Sequence, residues 1–110
     1  MPQIPWVYLV IAGVFEVVWA VLLKSTQGFT RLWPSLWTIA AMLVSFYFLA
    51  LAVRTLPVGT AYAVWVGIGA AGTAVLGMIL LGEPRDALRM ACIALIVVGA
   101  VGLRVLSPAQ

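Results

Sequence analysis

The chain has 110 residues, of which 65% are hydrophobic and only 8% charged, against roughly 45–50% apolar and 25% charged in an ordinary soluble domain. That balance excludes a water-soluble globular domain. The net charge of +3 comes from six Lys and Arg spread over short connecting segments, so it forms no basic stripe for nucleic acid and is better suited to lipid headgroups and membrane orientation.

Three long apolar stretches, Trp6 to Leu23, Ser35 to Val53 and Val58 to Leu81, are interrupted by a single charge, Glu16. Each approaches or exceeds the roughly 20 helical residues that a bilayer crossing requires. A fourth stretch, Met90 to Leu103, is uncharged for 14 residues; Arg89 and Arg104 extend it to a full span if they snorkel from its ends. The expectation is an all-α membrane protein with four transmembrane helices at about 5–24, 34–53, 58–81 and 87–106. They make a single membrane domain over 1–110 with both termini on one side.

Helix 1 has no basic n-region and no A-x-A-like cleavage site before it, so it is expected to remain in the protein. It ends near Lys24, and Ser25-Thr26-Gln27-Gly28 forms a polar loop. Trp33, Pro34 and Ser35 mark the start of helix 2. Trp6, Trp33 and Trp37 fit an interfacial aromatic belt, and Pro34 suits a first turn where no amide hydrogen needs a partner. Leu56-Pro57-Val58-Gly59 gives the turn into helix 3, whose Gly67-Ile68-Gly69 is a candidate soft point for bending. Gly82-Glu83-Pro84-Arg85-Asp86 forms the last loop. In helix 4, Cys92 and Gly99 lie seven residues apart and so nearly on one face. That face is either a helix–helix contact or ordinary packing of small residues inside a bundle.

Orientation is poorly biased. Lys24, Arg31, Arg85 and Arg89 fall on one side, and Arg54, Arg104 and the terminal amine on the other, a difference of about one or two charges on the positive-inside rule. Insertion in both directions follows as an expectation. Four helices are also few to enclose a pathway, and no internal repeat is visible, whereas an antiparallel pair of identical chains supplies both features.

Glu16 lies about 3 Å from the middle of helix 1 at 1.5 Å per residue, and it is the only charge at that depth. A central acid costs roughly 2.5–3.5 kcal/mol on insertion scales and usually faces a bundle interior or a watered path. A carboxyl group placed there is neutralised by a proton or by a cation, and not by both at once. That competition alone couples a proton moving one way to a cation moving the other. The opposing reading is a permanently protonated Glu16 acting as interhelical glue.

Trp19 shares the helical face of Gly13, Glu16 and Ala20, placing an indole beside the carboxylate with small residues around it. Tyr62 and Trp65 stand in the same i, i+3 relation on helix 3. On helix 2, Ser45 is the only polar side chain between Thr38 and Arg54 apart from Tyr47, and Met42 lies one turn before it. Carboxylate, hydroxyl and indoles together suit a small planar cation with several N–H donors, for which guanidinium is the simplest candidate. Trp19 and Trp65 are alternatively packing or lipid-facing aromatics, and the Ser45 hydroxyl alternatively bonds within its own helix. An enzyme is disfavoured, because there is no His, no second intramembrane acid or base, and no Ser or Cys paired with a base. Neither a metal set nor a phosphate loop is present, so no cofactor is expected. The one cysteine excludes an intramolecular disulfide.

At these residues the sequence resembles the small multidrug resistance family, and specifically its guanidinium-exporter subtype. The likeness rests on Gly13-Val14-Phe15-Glu16-Val17-Val18-Trp19-Ala20, on Leu56-Pro57-Val58-Gly59-Thr60-Ala61-Tyr62-Ala63-Val64-Trp65, on Gly67-Ile68-Gly69 and on Leu81-Gly82-Glu83. It implies an antiparallel, dual-topology homodimer in a bacterial inner membrane that exports guanidinium and small guanidinyl cations against protons. It further implies that Glu16 is the shared proton and substrate site, lined by Gly13, Trp19, Ser45, Tyr62 and Trp65, with Met42 on the same face. Gly67 and Gly69 become the bend of helix 3, and Cys92 and Gly99 the dimer contact. Relatives that export bulky drugs typically carry glycine where this chain has Trp19, which favours guanidinium. The rivals are a broad exporter of hydrophobic or quaternary ammonium cations and a structural subunit of a larger membrane complex.

Overall fold

A computed structural model describes residues 4–107. Its four α-helices are α1 (Ile4–Leu23), α2 (Leu32–Ala52), α3 (Val58–Leu80) and α4 (Ala87–Leu106), of 20, 21, 23 and 20 residues. At 1.5 Å per residue each is about 30–35 Å long, which matches a hydrocarbon core about 30 Å thick. All four are long and apolar enough to cross a membrane, and no strand occurs among the described residues.

The connections are short because their polar groups are consumed locally. After α1, a 3₁₀ turn over Lys24–Thr26 leads into Gln27, Gly28 and Phe29, all with positive φ. Thr26 is buried at this corner. Its hydroxyl donates to the Leu23 carbonyl at 2.7 Å and accepts from the Phe29 amide at 3.2 Å. Pro34 lies in the first turn of α2, where its missing amide hydrogen leaves no orphan donor. The chain leaves α3 at Gly82, φ 66°, and α4 starts at the Asp86 cap, which accepts from the Arg89 amide at 3.3 Å and from Arg89 Nε at 2.8 Å. Desolvation acts upward on the Asp86 carboxyl, but the Arg89 amide and guanidinium outweigh it and hold the group below the usual carboxylate range.

Helix α1 is the hub, packed along both α2 and α3, while α2 and α3 meet only briefly. The core lies toward the start of α1, where Trp6, Leu9 and Ala12 meet Ala52, Leu56, Ala61, Val64 and Trp65. Helix α4 packs mainly on α3 and has no buried residue. Its far end is tethered by the Arg104 guanidinium, 4.7 Å from the Trp6 ring centroid. The whole measures 42 × 35 × 18 Å, a slab about as thick as two helices of about 10 Å each. Cys92 is exposed on α4, and a Cβ at Gly99 would meet nothing within 4 Å.

Candidate functional site

The α1–α3 contact is built from glycines of one helix seated under larger side chains of the other. A Cβ on Gly13 would stand 2.5 Å from Ile68 Cγ2, and one on Gly72 would stand 2.5 Å from Val17 Cγ2. Between these two points, a Cβ on Gly69 would overlap the Glu16 carboxylate. Glycine at these three positions lets the helices approach closely enough to hold the acid against the α3 backbone. Gly67 serves the opposite flank, where its Cβ would be 3.2 Å from Ala100 of α4. Helix α3 runs as one helix through Gly67-Ile68-Gly69, and the two glycines provide close approach on two sides.

Glu16 is half-buried, and its Oε1 is shielded without a hydrogen-bond partner. No other charged side chain lies in the middle of a described helix. The carboxylate borders an open cleft of about 360 Å³ along α1 and α3. A shielded carboxylate oxygen with no donor can be satisfied by a proton or by a cation carrying N–H groups.

Ser45 fixes the turn beneath it. Fully buried, its hydroxyl donates to the Ala12 carbonyl at 2.7 Å and accepts from Trp65 Nε1 at 3.1 Å. The hydroxyl therefore links α1, α2 and α3 and does not bond back within α2. Ala12 lies one helical turn before Glu16, so the α2–α3 pair is clamped to the backbone that carries the acid.

The aromatic side chains form a continuous row. Trp19 meets Phe46 edge-on at 6.3 Å between centroids, Phe46 meets Trp65 at 5.8 Å, and Trp65 meets Tyr62 at 5.4 Å. The Trp19 Nε1 is buried and, like Glu16 Oε1, has no partner. Tyr62 is 54% exposed and Trp65 only 6%, so the row passes through the anchored Trp65 indole and ends on an open phenol. Met42 is half-buried one turn before Ser45. Phe46, the bridge between the two tryptophans, escaped the sequence reasoning; its adjacency to Ser45 was the available signal, but one residue along a helix is about 100° off that face. Thr73 and Glu83, which border the same cleft as Glu16, were also passed over as site residues.

The sequence matches the model of the family described as Small Multidrug Resistance protein over residues 4–96. The chain belongs to the small multidrug resistance family. The proteins named "Guanidinium exporter" from Escherichia coli K12, Shigella flexneri and Citrobacter freundii are each 60% identical to it over 99 residues, covering 90% of this chain and 94% of theirs. It is thus a multi-pass transporter of a bacterial inner membrane and not an enzyme. The family match spans every candidate site residue from Gly13 to Cys92 and ends before Gly99.

Proposed function

We propose that the chain exports guanidinium and small guanidinyl cations in exchange for protons, working as an antiparallel dual-topology homodimer. The observation that carries this reading is the Glu16 carboxylate, seated over Gly69 with its Oε1 shielded and unpartnered. Desolvation makes an unpaired carboxylate costly there, so the group is discharged by a proton or by a cation and one displaces the other. Guanidinium is the apt cation because its planar N–H groups engage a carboxylate on two prongs and stack on indole faces. Trp19 stands about one turn along α1 from Glu16, and a large indole at that position favours a small guest. The name shared by relatives at 60% identity supports the same substrate.

What one slab lacks supports the dimer. At 18 Å thick, one chain leaves the Glu16 cleft open along its length, and α4 offers an apolar flank around Cys92 and Gly99. A second copy in the opposite orientation closes the cleft, and it brings two Glu16 groups into one site whose titrations are then shared. The test is guanidinium uptake by proteoliposomes holding only this chain. An imposed proton gradient is expected to drive uptake; no uptake would refute the reading, and preference for large aromatic cations would favour a broad drug exporter instead.

A further inference from the structure

Serine and threonine hydroxyls in apolar helices normally bond back to a carbonyl one turn earlier, as Ser35 and Thr38 do here toward Arg31 and Pro34. Thr73 departs from that habit. Its Oγ1 is shielded and has no hydrogen-bond partner, and Thr73 lines the cleft that also holds Glu16 and Glu83. Along α3, positions 69, 73 and 77 succeed one another by one turn, so they share a flank and rise about 6 Å per step. Glu16 rests on the first of them. On the last, a Cβ at Gly77 would overlap the Glu83 carboxylate.

Glu83 returns to the helix it has just left because the chain reverses at Gly82, φ 66°, and because the Gly77 carbonyl accepts its amide at 3.2 Å. The carboxylate therefore stands at the end of the cleft, beside α3 carbonyls that carry negative partial charge. Among the described residues it makes no ion pair; the nearby Arg89 is committed to Asp86 at 2.8 Å.

We infer that Glu83 and Thr73 form an outer cation station, which captures the guanidinium-type substrate at the mouth of the cleft and hands it to Glu16. The inference rests on the reading of Glu16 given above. From Gly77 to Gly69 the path is about 12 Å at 1.5 Å per residue, with Thr73 half-way, whose unpartnered hydroxyl becomes an acceptor when its side chain turns into the cleft. A planar cation can thus exchange one oxygen partner for the next without losing all of them at once.

The test is the initial rate of guanidinium uptake into proteoliposomes holding the full chain, as a function of concentration and ionic strength. E83Q is expected to raise KM about three- to tenfold at low salt, as loss of a focusing charge does, with kcat within about twofold of wild type. The difference should shrink at about 0.5 M salt, where the Debye length is only a few ångströms. T73V, nearly isosteric, should raise KM in the same direction, and T73S should restore it. D86N removes the same unit of charge from the same loop but outside the cleft, and should leave KM unchanged. An E83Q KM equal to wild type, a D86N KM raised as much as that of E83Q, or T73V and T73S behaving alike would each overturn the station. If E83Q is unstable, the Thr73 pair decides alone. Failure of the wild type to move guanidinium would instead strike the reading of Glu16.

Discussion

Adding one methyl group at Gly69 separates the role of the α1–α3 contact in folding from its role in transport. A Cβ at Gly69 overlaps the Glu16 carboxylate, whereas one at Gly72, one turn along, meets Val17 Cγ2 at 2.5 Å. Both G69A and G72A therefore overfill the same interface by one carbon, a change that costs about 1–3 kcal/mol in a well-packed region. Their stabilities in chemical unfolding should fall by similar amounts. Their functions should not. In G69A the misfit bears on the carboxylate, which must turn away or recover its place at that cost whenever a cation binds, so guanidinium affinity should weaken about 5- to 150-fold. In G72A the misfit is absorbed by a valine that touches no substrate, and affinity should stay within about threefold of wild type, as expected for sites without shared partners. Guanidinium binding to the purified protein, read beside unfolding midpoints, makes the comparison. Equal loss of binding in the two variants at equal loss of stability would refute the assignment of Gly69 as the seat of Glu16.

Ser45→Ala deletes the bond to the Ala12 carbonyl and orphans the Trp65 indole N–H, which should destabilise the protein by about 1–3 kcal/mol; combined with Trp65→Phe the losses should fall short of additive in a double-mutant cycle. Trp19→Gly opens space beside Glu16, so competition assays should show guanidinium uptake inhibited more strongly by larger aromatic or quaternary cations than in wild type. Gly99→Trp alters a position with nothing within 4 Å in one chain; the helices should still form by circular dichroism, while the dimer population falls in a mass measurement in detergent. An unchanged dimer would remove Gly99 from the interface.

Three spans were legible because their hydrophobic runs approach or exceed a bilayer's length and are bounded by Pro, Gly or charged residues, and the fourth because Arg89 and Arg104 flank a shorter run that they can extend by snorkelling. Glu16 was legible for the opposite reason, as the one charge out of place. The i, i+3 pairing of Tyr62 with Trp65 could be read from a single helix, and the structure puts their rings 5.4 Å apart. What escaped were relations between helices. In a helix that is apolar all round, hydrophobic periodicity does not say which flank meets which neighbour. Gly67 and Gly69 read as a bend from one helix alone, and only the assembled helices show that they also admit Ala100 on one side and Glu16 on the other. Phe46 and Thr73 carried no helical pattern of their own and gained meaning only once α1, α2 and α3 were brought together. Glu83 read as loop punctuation because its return toward Gly77 depends on the left-handed turn at Gly82.

Exchange of a proton for a cation at one carboxylate is tested most directly by proton release. Adding guanidinium to the purified, detergent-solubilised protein in weakly buffered solution near neutral pH should acidify the solution, in proportion to the sites filled, and Glu16→Gln should give no acidification while still folding. Binding of guanidinium by the wild type with no proton released at any pH, or an equal release from Glu16→Gln, would contradict it.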